Sequence, residues 1–460
     1  MCRCVLVLGV EAPKKSTDAN IFGHVVDRDT HEHIPYATIA VTGTAFGTTT
    51  DASGHYFLKN LPEGALTLEV RALGYASQTQ QVTLRRGQTA ELNFEVVQSG
   101  ISMDEVVVSA SRSARLRREA PALVSVLDAG LFEKTNASCL AQGLSFQPGV
   151  RVEDDCQNCG FTQVRINGLD GHYSQILVDS HPVFSALTGV YGLEQIPANM
   201  IERVEVLRGP ASVLYGSNAM GGVVNIVTRK MREDGVKNYL HTGYGSYNTL
   251  QSELTNRIRK GRFTSVVSGS YNRTDGHRAN MGFEQYGGYA KLGYEISDHW
   301  NAWADMNVTH FNASNPGETF DPLIDNDQRI TRGMTSLALE NRYEKTSGTL
   351  SFFYNWGKHW INDGYHPDER PLDYRFRSRD DMLGLSWYQS VRLFEGNRLT
   401  VGVDYFRFGG EAWNQPVGGG GREMQADKIQ HETAGYVDFR QSLTRWLTFD
   451  AGLRLDHHSH

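Results

Sequence analysis

Residues 201–229, IERVEVLRGPASVLYGSNAMGGVVNIVTR, decide how the rest of this chain is read. Val204 and Val206 alternate with Arg203, Glu205 and Leu207, which is the period of a strand. Pro210 breaks the run, residues 211–215 have room for one helical turn, and Gly216 caps it. Val223, Val224, Ile226 and Val227 restart a strand. On physical grounds this is a glycine-hinged α+β unit with a buried strand pair, and it names no chemistry.

Outward from that stretch, composition narrows the class. A chain of 460 residues exceeds one ordinary core and predicts roughly two to four domains. Its 47 glycines, 20 tyrosines and 20 phenylalanines against 13 prolines favour strands and tight turns. The net charge of −7 is mild and spread out, so nothing points to a nucleic-acid partner. No apolar run reaches the length of about 18 residues that a spanning helix needs. A spanning β-barrel stays open, because its strands alternate and keep mean hydropathy low.

Residues 201–229 closely resemble the end of the plug domain of TonB-dependent outer-membrane receptors. The resemblance rests on Glu202-Arg203 through Arg208, Gly209 and Pro210, then Tyr215-Gly216-Ser217, then Gly221, Gly222 and Asn225-Ile226. Upstream, residues 164–169 and 176–183 read as strand, turn, strand and are similar to the middle motifs of the same plug, which brings in Arg165, Gly168 and Asp179. Between 128 and 142 the spacing of Leu131, Cys139 and Leu140 predicts a helix, ended by Gly149.

Residues 21–97 break into seven short strands separated by turn clusters, a pattern that predicts a β-sandwich. They resemble the carboxypeptidase-regulatory-like domain, through Gly23 to Asp27, Thr50-Asp51 with Gly54, Leu61-Pro62 with Gly64, and Gly74-Tyr75. In that family the domain is non-catalytic. Between sandwich and plug lies ISMDEVVVSASR, an extended β-prone run expected to be exposed and able to add a strand to a partner's sheet edge. It looks like a TonB box, with Asp104, Glu105, Val106, Val107 and Val108 as the residues that pair with TonB.

From Lys237 onward the segments alternate with a period of two. Tyr286, Ala290, Leu292, Tyr294 and Ile296 share a face opposite Lys291 and Glu295. Leu447, Phe449, Ala451, Leu453 and Leu455 likewise oppose Asp450, Arg454 and Asp456, which is the apolar-out, polar-in pattern of a membrane barrel. Short turns at 260–261, 297–298, 346–348, 395–397 and 444–445 interleave with long polar loops near 273–285, 312–331, 360–377 and 411–430. The count predicts about eleven strands, half of the 22 typical of plugged transporters.

The expected organisation is therefore mainly β. A partial leader at 1–18 precedes a seven-strand sandwich at 19–98, a TonB box and linker at 101–112, and an α+β plug at 113–231. An antiparallel transmembrane barrel at 235–460 follows, cut at about half its strands.

Enzyme signatures are scarce: there is no phosphate loop, no Gly-x-Ser-x-Gly elbow and no His-Glu-x-x-His. His366 with Glu369 has the spacing of a zinc pair, but Pro367 lies inside it and no third ligand is suggested, so no catalytic residue is expected. Asp154, Asp155, Cys156 and Cys159 form a tight acidic loop that the plug pattern does not require. Its two thiols read either as a local disulfide or, with nearby carboxylates, as a soft-metal site.

Eight of ten barrel histidines, His310, His359, His366 and His431 among them, fall in the long loops or at their strand ends, where imidazole suits a metal-bearing cargo. Trp356, Trp360 and Trp413 offer sugar platforms instead. The resemblance implies an outer-membrane location with sandwich and plug on the periplasmic side. It implies a TonB-type partner, contact with outer-membrane lipid, no bound cofactor, and active uptake of a small metal-bearing ligand. Haem or a ferric siderophore is expected first, cobalamin or copper next, and an adhesin or signalling receptor without transport last.

Overall fold

The computed structural model describes residues 17–97 apart from 29, 45, 73, 74 and 76, then 106–107, 115–116, 123–154 apart from 136 and 138, 162–183, 193, 196–314, 316, 327–361, 374–444 and 447–459. Two compact units divide between residues 105 and 106.

The first unit holds β1 (Asn20–Asp27), β2 (Thr38–Val41), β3 (Gly47–Thr49), β4 (His55–Leu58), β5 (Gly64–Arg71), β6 (Gln78–Leu84), β7 (Thr89–Glu91) and β8 (Phe94–Val96). One sheet runs β4-β1-β7 with β8 also on β1; the other runs β3-β2-β5-β6. Alternation drives Ile21, Ile39, Leu68, Leu84 and Phe94 into a fully buried core between them, joined by Leu61 from the β4–β5 turn. The seventh expected strand is split in two. At the break the Asn93 side-chain oxygen takes the His24 N–H at 3.0 Å, replacing a ladder bond.

The second unit opens with β9 (Val106–Val107), paired antiparallel to β10 (Arg115–Leu116). There follow β11 (Leu123–Asp128), α1 (Ala129–Thr135), α2 (Leu140–Leu144), β12 (Val150–Asp154), β13 (Thr162–Ile166), β14 (Ser174–Val178), β15 (His181–Pro182), β16 (Ile201–Arg208), α3 (Ser212–Tyr215) and β17 (Gly222–Thr228). The sheet order is β11-β16-β17-β14-β15, with β12 and β13 as a separate hairpin. The single helix expected over 128–142 is two short ones. Cys139 interrupts it with an extended backbone, φ −144°, that bridges to Pro197.

The stretch at 201–229 folds as its pattern implies. β16 and β17 pair antiparallel around α3, and Gly216 leaves the helix at φ +87°. Gly222 has no substitute: its φ is +148°, and a Cβ there would stand 2.3 Å from the Leu207 carbonyl oxygen.

Eleven strands complete the unit: β18 (Gly235–Gly245), β19 (Thr249–Lys260), β20 (Phe263–Thr274), β21 (Phe283–Glu295), β22 (Trp300–Ser314), β23 (Asp327–Arg342), β24 (Thr346–Ile361), β25 (Tyr374–Val391), β26 (Asn397–Pro416), β27 (Glu423–Ser442) and β28 (Thr448–Ser459). They form one antiparallel sheet in chain order, with β18 and β28 as its open edges. The turn expected at 346–348 lies instead before Thr346, which opens β24. The long loop expected at 411–430 is mostly strand: Glu411 pairs with Asp427 and Asn414 with Glu423. Backbone pairing needs no apolar side chains, so the hairpin continues past the point where apolar alternation fades.

Candidate functional site

Which face of the sheet is inward is fixed by what touches the α+β domain. Lys291 Nζ on β21 stands 2.5 Å from Asp179 Oδ2, Asn355 on β24 donates to the Pro182 carbonyl at 2.9 Å, and Asn199 donates to Ser268 Oγ on β20 at 2.8 Å. The expected partition of β21 follows: Lys291 is buried against the inner domain, while Tyr286, Leu292 and Tyr294 are exposed outward. Arg454 on β28 likewise turns in, bonding Asp404 at 2.9 Å.

Asp179 is placed by the two-residue turn between β14 and β15, where Asp179 and Ser180 both have positive φ, 46° and 70°. From that turn its carboxylate accepts the Thr228 N–H at 3.0 Å and the Thr228 hydroxyl at 2.6 Å. Lys291 completes the site, bonded also to Thr228 Oγ1 at 2.8 Å and lying 4.0 Å from the Trp303 ring centre. Burial alone would raise the Asp179 carboxyl; the Lys291 and Lys230 charges and these hydrogen bonds outweigh it and hold the group well below the usual carboxylate range. Beside it the His181 ring packs 5.1 Å from Phe353 and 5.9 Å from Trp303.

The other motif residues are structural in place. Arg165 pairs with Glu153 across the β12–β13 hairpin. Arg208 ties β16 to Ser125 Oγ at 3.0 Å and to the Pro148 carbonyl at 3.3 Å. Gly168 and Gly209 take positive φ, the Gly209 and Gly221 backbones bond each other at 3.2 Å, and Tyr215 is buried. Pro210 leads into α3.

The valine run corrects an expectation. Val107 is fully buried rather than exposed, packed with Val124, Leu177, Leu207, Leu214, Val223 and Tyr436. Its pairing with Arg115 holds it there. Val106 faces Leu116, whereas Asp104, Glu105 and Val108 lie outside the described residues as structure.

The expected ligand histidines do not form one site. His310 and His431 sit at strand positions whose parity points away from the inner domain, on the same face as exposed Tyr286 and Met306. There His310 Nδ1 meets Thr331 Oγ1 at 2.7 Å and His431 Nδ1 meets Tyr405 at 2.9 Å. Loop position does not tell inside from outside; parity does. By the same parity Trp356, Trp360 and Trp413 face outward, the last two under Arg377, Arg379 and Arg422.

Of His310, His359 and His431, His359 turns inward, buried beside Arg332, whose guanidinium donates to Nε2 at 2.8 Å and to Asp380 at 3.2 Å. An arginine only donates, so Nε2 accepts and the proton sits on Nδ1, which has no hydrogen-bond partner among the described residues. Asp154 ends β12, its side chain not described; Asp155, Cys156, Cys159, His366 and Glu369 lie outside the described residues. As the side chains stand, no three His, Cys, Asp or Glu among the described residues converge on a metal ion.

Comparison with known proteins matches two parts of the chain to family models. The CarboxypepD_reg-like domain matches residues 21–108, and the TonB-dependent receptor plug domain matches residues 117–223. Residues 117–223 thus match a TonB-dependent receptor plug, and the plug and sheet together share the fold of solved outer-membrane receptors. A vitamin B12 transporter, BtuB of Vibrio vulnificus, is 29% identical over 208 residues, 43% of this chain and 34% of that protein. The ferripyoverdine receptor of the outer membrane of Pseudomonas aeruginosa shares the fold at a TM-score of 0.64 and 14% identity, covering 80% of this chain and 56% of that one. The copper transporter OprC does so at 0.60 and 16%, covering 73% and 55%. The chain thus spans about a third of the length of the curated relatives it matches.

Proposed function

We propose that this chain is the sandwich, TonB box, plug and part of the barrel of an outer-membrane receptor that takes up a scarce metal-bearing ligand, powered through a TonB-type partner. It performs no enzymatic step in this reading. The plug docked against the inner face of the sheet, by the Asp179–Lys291 pair and by packing on Val266, Tyr289 and Tyr436, carries the reading. The TonB segment starts tucked, with Val107 in the plug core, so engagement by a partner's sheet edge requires its withdrawal.

For the cargo, the buried His359 already spends its Nε2 lone pair on Arg332 and so offers no imidazole ligand to a metal there. That favours an iron chelate rich in oxygen acceptors, a ferric siderophore, over haem that needs an axial imidazole. Cobalamin is the second reading, favoured by the vitamin B12 transporter among the relatives. Copper and a non-transporting adhesin or signalling receptor stand behind both.

Val107→Pro tests the coupling in the full-length protein. It removes a strand donor, so uptake is expected to vanish while surface binding persists; normal uptake overturns the reading. The cargo is tested by binding of ferric siderophore, haem, cobalamin and copper with and without Arg332→Ala. A siderophore-specific loss is expected, and binding of none of the four refutes a metal-bearing cargo.

A further inference from the structure

The sandwich carries a cluster that neither the plug nor the sheet uses. His24 on β1 lies directly opposite His55 on β4, and Val26, on the same face as His24, pairs with His33. Strand parity therefore projects all three imidazoles from one face, the outer one, where Phe22 and Phe57 are exposed. Their ring centres stand 4.8, 5.1 and 5.8 Å apart. Gly54 makes the approach possible: it has φ +77°, and a Cβ there would come within 2.7 Å of the His33 Cβ.

We propose that His24, His33 and His55 form a surface binding site for a divalent first-row cation of the Zn²⁺ or Cu²⁺ class, with the fourth coordination position open. The argument is geometric. A metal bound to an imidazole nitrogen at about 2.0–2.1 Å stands about 3.2 Å from the ring centre. The three measured separations define a triangle whose corners are all about 3.1 Å from one central point. The ring centres are therefore spaced as three imidazoles around one ion would be.

The ring nitrogens do not converge on that point as the side chains stand. Turning an imidazole about Cβ–Cγ leaves its centre almost in place while redirecting both nitrogens, so the separations hold through the turn. These histidines are not locked in the core: His24 is half-buried, and His33 and His55 are exposed.

An orienting shell is already present at one ring. Ser53 Oγ donates to Asp51 Oδ1 at 2.7 Å and lies 3.1 Å from His55 Nδ1. With its own proton given to Asp51, the hydroxyl accepts from Nδ1–H, which leaves the Nε2 lone pair as the donor to a metal. Carboxylate, hydroxyl and imidazole in series are the support that metal-bound histidines use. Imidazole donors suit Zn²⁺ and Cu²⁺, not Mg²⁺ or Ca²⁺.

The test uses the full chain in detergent, stripped with chelator and titrated with Zn²⁺ against a chromophoric competitor. Wild type is compared with His24→Ala, His33→Ala, His55→Ala and Ser53→Ala, so that background binding by other histidines cancels. Each histidine variant is expected to lose the same one equivalent while its far-ultraviolet circular dichroism stays that of the wild type. Ser53→Ala is expected to keep that equivalent but bind roughly 10- to 100-fold more weakly. Cu²⁺ spectra are expected to show three nitrogen ligands in wild type and two in each histidine variant. Equal stoichiometry and affinity across the series, or a loss confined to one histidine, overturns the site.

Discussion

The sandwich and the plug both bury polar side chains, but they satisfy them differently. In the sandwich the buried polar residues among those described, Asp27 and Thr50, bond to its own backbone: Thr50 bridges Ile34 and Ala37 at 2.8 Å each, and Asp27 caps Thr30 at 3.0 Å. The plug sends Asp179 and Asn199 across to Lys291 and Ser268 on the sheet. A buried ion pair is poor glue, because desolvation offsets most of the attraction, but it penalises any misplacement heavily. The sandwich thus satisfies its buried polar groups internally, whereas the plug, in one compact unit with the sheet, also bonds across to it.

Removing one charge should break this difference most visibly. Lys291→Met strands the Asp179 carboxylate and is expected to cost about 3–5 kcal/mol in denaturant unfolding of the plug-containing unit. Adding Asp179→Asn should restore much of the loss, since no charge is then left unpaired. Failure of the double variant to recover would mean that Lys291 acts through packing on Trp303 rather than through charge.

The sandwich counterpart is Leu68→Ala, which opens a cavity at a fully buried position. A cost of about 3 kcal/mol is expected, seen as lost amide protection in residues 19–98 and nowhere else. If protection in the plug falls too, the two units are not independent.

How much of this was readable beforehand depended on whether local pattern or long-range register decided the matter. The alternation around Lys291 and Arg454 announced which residues share a face, and the glycines of 201–229 announced the turn between β16 and β17. Alternation does not say where a segment docks, so Val107, a valine in a β-prone run, looked exposed although it completes a core made by β11, β16 and β17. His310 and His431 were grouped by nearness to loops when strand parity separates them from His359. His24, His33 and His55 went unnoticed because only the β1–β4 register and the Val26–His33 bridge bring them together. Pairing Gly23–Asp27 against the strand after the 51–54 turn would have aligned His24 with His55.

Acid gives the finest test of the comparison, because the two units are expected to weaken in different windows. The folded-state Asp179 carboxyl lies below its unfolded value. Its stabilisation is complete above the usual carboxylate range, about pH 4, and is lost as pH falls through the depressed folded value. His24 is also lowered, from 6.5, by burial and then by His33 and His55. The unfolded chain therefore takes up the proton first, so the His24 contribution is full above pH 6.5 and is lost as pH falls through its folded value. All seven tryptophans lie at or beyond residue 300, so their emission follows the plug-and-sheet unit alone. Amide exchange over residues 19–98 follows the sandwich. Amide protection factors in the sandwich, corrected for slower intrinsic exchange in acid, should begin to fall below pH 6.5 while tryptophan emission holds until below about pH 4. His24→Phe should flatten the first change and leave the second; a shared midpoint for both units would erase the distinction between them.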